Sequence, residues 1–277
     1  MWSRNYFRDQ FTPAVVGMIH LQPLPGSPRW GGDMKQVIAA ALGDAWALVT
    51  GGVNAVMMEN YHDVPFYPGS APAETVASMA VLVQAVKTAY PDLMLGVNVL
   101  RNDVDSALCI AAATGARFVR VNVHTGAALT DQGTIEGRSW HTLRRRRELG
   151  LDVGILADVR VKHARPLVDR PLEDEVRDLR LRGLADGVIV TGAATGAGAD
   201  PDEVAAVRVA LPDCPLLVGS GVTSATVGDF LPQADGFIVG SSLQEIDPVT
   251  GRACVSETRT AEFVQALEAA ARKEDTR

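Results

Sequence analysis

Four ionisable side chains stand at or just after short apolar runs that predict β-strands. Glu59, Asp158 and His20 each end such a run, and Lys162 comes four residues after Asp158. Two carboxylates in one cleft can have their pKa values pushed apart, which gives one acid and one base. A desolvated lysine can form a Schiff base, donate a proton or hold a phosphate. These four are the predicted catalytic residues; a surface lysine and a buried histidine bonded to a backbone carbonyl are the structural alternatives.

The fourth apolar run alternates valines with three polar residues, Arg120, Asn122 and His124. Side chains on a strand alternate with period two, so the polar three are expected to share the face that points into a barrel, with the valines towards the helices. A buried arginine without a partner is strongly destabilising, which predicts that Arg120 pairs with Glu59 or Asp158. An internal ion pair that only fills the barrel is the alternative.

Glycine turns end the last two apolar runs. Phosphate-binding barrels use the loops after strands seven and eight, glycine lets the backbone approach an anion, and free N–H groups donate to it. The two turns therefore predict a phosphate cradle, unless their glycines only permit tight turns. A third turn after strand six, covering 191–196, would add donors or form a mobile flap. The predicted phosphate-binding residues are Gly192, Gly219, Ser220, Gly221, Gly240, Ser241 and Ser242.

Other polar residues near strand ends supply predicted substrate contacts. Asp131 lies with Glu136 in a long loop after strand four, where the two acids would close over a ligand or cap the next helix through its dipole. The predicted substrate-binding residues are Asn60, Asn98, Arg120, Asn122, His124, Asp131 and Thr191.

Eight apolar runs alternate with amphipathic, alanine-rich segments along the chain. Parallel strands need crossovers, and eight strands close a barrel whose interior side chains can fill. We therefore predict a single (β/α)₈ TIM-barrel domain over 1–277 with frayed termini; a doubly wound open sheet is the alternative, and the paired glycine turns favour the barrel. The predicted strands are 14–21, 55–60, 94–100, 118–124, 153–160, 187–192, 215–221 and 236–242. The predicted helices are 34–50, 74–90, 104–114, 138–149, 172–182, 201–210, 224–231 and 260–273.

The composition narrows the class of partner. The chain of 277 residues has a net charge of −7, which argues against nucleic acid and against attraction to anionic membranes. No apolar run reaches transmembrane length, and the polar N-terminus and three scattered cysteines suit a reducing cytoplasm. No spacing typical of a metal or cofactor site appears. A basic run at 144–147 on an outer helix indicates a solvated face, a subunit contact in a homo-oligomer, or a patch for an acidic surface.

Several longer motifs resemble the BtpA family, over about residues 13–263. The resemblance rests on Gly17-Met18-Ile19-His20-Leu21, Pro23-Leu24-Pro25-Gly26-Ser27-Pro28, Met58-Glu59-Asn60, Asp63-Val64-Pro65-Phe66, Asn98-Val99-Leu100-Arg101-Asn102-Asp103, Thr130-Asp131-Gln132-Gly133, Ile135-Glu136-Gly137, Val161-Lys162-His163-Ala164, Val190-Thr191-Gly192, Thr195-Gly196 and the two glycine turns.

The resemblance implies a ribulose-phosphate-binding barrel and leaves the reaction open. The family's namesake is associated with photosystem I biogenesis or stability, which implies a non-catalytic alternative. From the residues themselves we expect an enzyme that acts on a phosphorylated metabolite by isomerisation, epimerisation, aldol or lyase chemistry. A metal-dependent hydrolase using His20, Glu59, Asp158 and His163 is a further alternative. Gln244 stands where the resemblance implies a phosphate-neutralising lysine, so the ligand or its affinity is expected to differ here.

Overall fold

The computed structural model of the chain describes residues 2–10, 14–192 and 198–274. Within these ranges, eight parallel strands close into a barrel, and helices follow them on the outside. The predicted (β/α)₈ fold is confirmed. The strands are β1 Ala14–His20, β2 Ala55–Glu59, β3 Met94–Asn98, β4 Phe118–Val121, β5 Ala127–Thr130, β6 Gly133–Glu136, β7 Gly154–Val159, β8 Ala164–Pro166, β9 Gly187–Thr191, β10 Leu216–Gly219, β11 Gly236–Val239, β12 Gln244–Ile246 and β13 Ala253–Val255. The barrel order is β1-β11-β10-β9-β7-β4-β3-β2.

The helices form where the sequence places caps and amphipathic runs. The side chain of Asp33 accepts a hydrogen bond from Lys35 N at the start of α2, and Asp200 with Pro201 begins α7 as predicted. Gly115 ends α4 in the left-handed conformation that glycine adopts without strain. The helices are α1 Arg4–Gln10, α2 Met34–Thr50, α3 Ala73–Ala89, α4 Val104–Thr114, α5 Ser139–Glu148, α6 Leu172–Arg177, α7 Pro201–Ala210, α8 Val227–Phe230 and α9 Glu257–Glu274.

The hydrophobic core has two layers separated by the barrel wall. Side chains such as Val119 and Val121 pack outwards against the helices, whereas Met57, Phe118 and Leu156 fill the barrel interior. The close packing explains Gly96, because a Cβ there would lie 2.0 Å from the ring of Phe118. The interior is therefore solid below the level at which the strands end, and polar groups collect above it.

The helix α1 closes the N-terminal face, the end of the barrel where the strands begin. Phe7 joins the interior cluster and Trp2 packs against it. Two buried acids anchor this segment: Asp186 accepts from the backbone N of Trp2, and Asp235 accepts from Arg4 and Arg8. This face is packed and paired, which is typical of a stabilising end of a barrel.

Two small sheets decorate the C-terminal rim, the end of the barrel where the strands stop. The strands β5, β6 and β8 form a three-stranded antiparallel sheet, and β12 pairs with β13. The long loop predicted after strand four thus contains a hairpin, and β8 ties that hairpin to the segment that carries Lys162. A small cluster that includes Val123, Ile135 and Val161 packs beneath it.

Strand β4 is shorter than the sequence predicted. The ladder ends at Val121. Of the three polar residues expected on one face, Arg120 and Asn122 meet at Asp158, whereas His124 does not. Beyond Val121 the chain turns, so Val123 packs under the hairpin rather than against the helices. The period of a strand cannot be extended past its last ladder hydrogen bond.

Candidate active site

An arginine–carboxylate pair lies at the centre of the C-terminal rim. Arg120 Nε and Nη2 donate to the two oxygens of Asp158 at 3.0 and 2.9 Å, and Asn122 Nδ2 donates to Asp158 at 2.8 Å. Burial alone would lower the pKa of the Arg120 guanidinium, but the charge and hydrogen bonds of Asp158 have the larger effect, so its pKa is raised. The expected pairing is confirmed. With three donors on its carboxylate, Asp158 is occupied with holding Arg120 and is a weaker acid–base candidate than the sequence suggested.

Glu59 is the carboxylate with more freedom to react. It is 4% exposed, and it accepts from Asn98 Nδ2 at 2.6 Å. Its distance to Arg120 Nη1 is 3.9 Å, longer than the contacts of Asp158. Glu59 also lines the central cavity of the rim. Of the two predicted acids, Glu59 is the one that lines the cavity, since Asp158 is not among the residues around it.

Lys162 reaches the same cavity from the loop after β7. Burial lowers the pKa of its amine, and the nearby Arg120 guanidinium lowers it further, against the opposing charges of Glu59 and Asp158. Within the described residues no carboxylate lies within 4 Å of its ammonium group. A desolvated lysine with a lowered pKa has the properties of a nucleophilic amine.

His20 forms one wall of the cavity. Burial lowers the pKa of His20 to about 4 despite the attraction of Glu59, so the ring is neutral at pH 7. Gln244 Nε2 donates to His20 Nδ1 at 3.2 Å, and this contact assigns the ring proton to Nε2. Tyr61 stacks on the ring at 4.4 Å. His20 is therefore positioned as a neutral hydrogen-bond donor, and Gln244 is a partner of the site that the sequence marked only as a departure.

The two glycine turns face Glu59 and Lys162 across the cavity, which has a volume of about 310 Å³. Ser220 and Gly221 have φ values of +71° and +66°, and the first of these is costly for a residue with a Cβ. Ser241 and Ser242 begin a 3₁₀ turn, whose first N–H groups have no partner within the turn. Ser242 Oγ donates to the carbonyl of Val222 at 2.9 Å and joins the two turns.

Several buried polar atoms lack a hydrogen-bond partner in the described part of the chain. Among them are Thr191 Oγ1 and Asn122 Oδ1, on residues 6% and 4% exposed. Thr191 lines the cavity. Buried polar atoms are nearly always satisfied, so an unsatisfied hydroxyl in a polar cavity is typical of a ligand contact.

The remaining sequence candidates lie apart from this cavity. Asn60 connects loops, because its Oδ1 accepts from Leu100 N at 2.7 Å. His124 is buried with Nε2 2.8 Å from the carbonyl of Gly183, away from the polar cluster with which it was grouped. Asp131 is exposed in the hairpin turn and accepts from Gln132. Gly192 belongs to the described part of the chain but does not line the cavity. The predicted flap residues 193–196 fall outside the described residues.

Arg101 is a rim residue that the sequence reasoning did not single out. It is 6% exposed, and its Nη2 donates to the carbonyl of Lys162 at 2.7 Å. The run Arg101-Asn102-Asp103 after strand three is visible in the sequence. Its spacing does not predict, however, that the Arg101 side chain folds back over the rim.

A larger cavity of about 1020 Å³ lies beside the site, between α2, the loop after β1 and the β12–β13 hairpin. It shares His20 with the central cavity and has charged residues of its own, among them Asp44 and Arg252, but neither Glu59 nor Lys162 lines it. We assign the site to the smaller cavity because Glu59, Lys162 and both glycine turns meet there.

No group of three or more His, Cys, Asp or Glu side chains is arranged to hold a metal among the described residues. In the same part of the chain, no helix is long and apolar enough to cross a bilayer.

The fold is a closed (β/α)₈ barrel, and solved structures of other proteins share it. A 3-keto-L-gulonate-6-phosphate decarboxylase from Vibrio cholerae is similar, with a TM-score of 0.56 at 12% identity, covering 93% of this chain and 98% of that one. A phosphoribosyl anthranilate isomerase from Thermus thermophilus has a TM-score of 0.55 at 10% identity, covering 92% and 98%.

The sequence profile of the BtpA family matches residues 12–269. The photosystem I biogenesis protein BtpA of Synechocystis sp. is 42% identical over 253 residues, covering 91% of this chain and 87% of that protein. An uncharacterized protein of Pyrococcus furiosus is 45% identical over 232 residues, covering 83% and 86%. The chain belongs to the BtpA family.

Proposed function

We propose that the protein is an enzyme that acts on a phosphorylated small metabolite by an isomerase- or lyase-type proton transfer next to a carbonyl. The observation that carries this proposal is the convergence of Glu59, Lys162 and two glycine turns on one cavity of about 310 Å³. That volume suits a compound of sugar-phosphate size. Similar barrels include enzymes whose names contain a sugar phosphate or a phosphoribosyl group.

Each part of the cavity has a role in this proposal. The amides of the glycine turns bind the phosphate, and Thr191 with the neutral His20 donates to substrate oxygens. Glu59 moves the proton at the carbon next to the carbonyl. Lys162 either polarises the carbonyl as an ammonium or, as the neutral amine, adds to the carbonyl carbon with loss of water to give an imine.

Borohydride reduction tests the imine route. The protein is incubated with ribulose 5-phosphate, fructose 6-phosphate or dihydroxyacetone phosphate, reduced, digested and analysed by mass spectrometry. An adduct on Lys162, absent from the exposed Lys35, supports the imine. If a phosphorylated sugar is turned over but no reduced adduct forms on Lys162, the lysine acts by polarising the substrate carbonyl rather than by forming an imine. Failure of every phosphorylated sugar and of inorganic phosphate to raise the melting temperature contradicts the proposed function.

A second candidate function comes from the name of the Synechocystis relative, a photosystem I biogenesis protein. In that case the chain would bind a protein complex rather than a metabolite. Glu59→Gln and Lys162→Met variants then retain biological function in a deletion strain, whereas the enzymatic proposal predicts that both lose it.

A further inference from the structure

Arg101 is a buried cation without an acidic partner. It is 6% exposed, and its one side-chain hydrogen bond in the described residues is to the carbonyl of Lys162 at 2.7 Å. No carboxylate of the described chain lies within 4 Å of its guanidinium. Arg120 shows the contrast, because it is equally buried yet makes two hydrogen bonds to Asp158. A fixed arginine with free N–H groups is suited to hold an anion.

Acids lie near Arg101, but none is bonded to it in the described chain. Glu59, Asp158 and the hairpin acid Asp131 each act on Arg101 through their charge, yet no salt bridge joins any of them to its guanidinium. Their attraction does not offset burial, which lowers the pKa of Arg101.

Arg101 also lies across the barrel from one of the proposed phosphate turns. It follows β3, and the turn at Gly219, Ser220 and Gly221 follows β10. In the barrel order, β3 and β10 are four strands apart in either direction, which places them diametrically opposite each other. Arg101 itself does not line the cavity that contains the glycine turns, Glu59 and Lys162, so a ligand with its phosphate at these turns must extend past Glu59 and Lys162 to reach it.

We propose that Arg101 binds a carboxylate at the far end of the substrate, so that the substrate class is a phosphorylated sugar acid. This inference rests on the proposed function. The planar guanidinium can hold both carboxylate oxygens through parallel N–H donors.

A matched pair of ligands tests this assignment. 6-Phosphogluconate and glucitol 6-phosphate differ at one end, where the first has a carboxylate and the second a hydroxymethyl group. Isothermal titration calorimetry at pH 7.5 and constant ionic strength is expected to show at least about tenfold tighter binding of 6-phosphogluconate, the effect of one charge-assisted pair. Arg101→Gln is expected to reduce the preference to about twofold or less and to leave glucitol 6-phosphate binding nearly unchanged.

Two control variants separate direct binding from indirect effects. Arg117→Gln removes an exposed arginine beside Asp152 and is expected to keep the preference. Asp131→Asn removes the hairpin acid whose charge acts on Arg101 and is also expected to keep it. Loss of the preference in Asp131→Asn as in Arg101→Gln would show that Arg101 works by pairing with the hairpin, which overturns the proposal.

The outcomes are distinct from those of the proposed function. Equal affinity of the unaltered protein for both ligands overturns the Arg101 assignment, as does a preference that persists in Arg101→Gln or tighter binding of fructose 1,6-bisphosphate than of 6-phosphogluconate. The comparison on the unaltered chain remains decisive if Arg101→Gln does not fold. Absence of binding by all these ligands and by inorganic phosphate removes the phosphate site itself, and both proposals fail.

Discussion

The two ends of the barrel use the same residue types but pair them to different extents, because the C-terminal rim combines the paired Arg120 and Asp158 with cations that have no acid bonded to them. At the N-terminal face, buried Asp235 accepts from Arg4, Arg8 and Arg208 and from the backbone N of Leu216. At the C-terminal rim, Arg101 and Lys162 have no carboxylate within 4 Å in the described chain, and Thr191 Oγ1 has no hydrogen-bond partner there.

This difference separates stabilising charges from charges that await a ligand. A fully paired buried acid has its hydrogen bonds made within the protein, so its removal is expected to affect folding. A buried group without a partner costs stability in the free protein and gains its partner only when a ligand binds. Burial alone does not distinguish the two ends; the state of pairing does.

The largest effect is expected at the paired end. Asp235→Ala leaves three arginines around an uncompensated site and should lower the free energy of unfolding by about 3–5 kcal/mol, measured by urea denaturation. Phosphate binding at the opposite end should not change in the surviving folded protein. Asp152→Ala, which removes an exposed partner of Arg117, is the control and should cost less than about 1 kcal/mol. Equal effects would contradict the assigned roles.

A carboxylate at the rim should show the reverse pattern. Glu59→Gln keeps the side-chain volume and should reduce kcat by about 100-fold or more, the contribution of a general acid or base. Its free energy of unfolding should change by less than about 1.5 kcal/mol, since the amide retains a hydrogen-bond acceptor for Asn98. Steady-state kinetics and urea denaturation check the two parts. A large loss of stability with full activity would assign Glu59 to structure.

Removal of the desolvated lysine should stabilise the protein. Burial lowers the pKa of Lys162 in the folded state, so its protonation disfavours folding below that pKa, and the penalty disappears as pH rises towards the unfolded value. Lys162→Met should therefore raise the free energy of unfolding at pH 7 by roughly 0.5–2 kcal/mol, with a difference that shrinks at alkaline pH. A destabilised variant at pH 7 would mean that the ammonium is well paired.

The smallest effect is expected at a strained turn. Ser220 has a φ of +71°, a conformation that costs a residue with a Cβ about 1 kcal/mol and glycine little. Ser220→Gly should raise the melting temperature slightly and keep the affinity for inorganic phosphate within about threefold, because backbone amides rather than the hydroxyl hold the anion. A loss of affinity beyond about tenfold would assign the binding to the side chain.

The sequence predicted the barrel because its signals are local. Apolar runs, helix caps and glycine turns each specify one element, and the alternation of elements specifies the closure. The pairing of Arg120 was also predictable, since a buried arginine must find an acid and the sequence placed Glu59 and Asp158 at strand ends. The structure puts Asp158 on β7, next to β4, and Glu59 on β2, two strands away.

The remaining details depend on distances between elements that are remote in sequence. Arg120 pairs with Asp158 and leaves Glu59 available because its nitrogen lies 2.9 Å from the Asp158 carboxylate and 3.9 Å from that of Glu59. Sequence alone does not give a difference of about one ångström. His124 left the predicted cluster because β4 ends at Val121. Arg101 was missed because its role depends on a fold-back to Lys162, 61 residues away.

The most direct test of the account is a crystal structure of the protein with inorganic phosphate. We expect a phosphate held by backbone amides of both glycine turns, between Ser220 and Ser241, with Glu59 and Lys162 facing it across the cavity. Phosphate bound elsewhere, with amides of these turns bonded within the protein, would contradict this expectation.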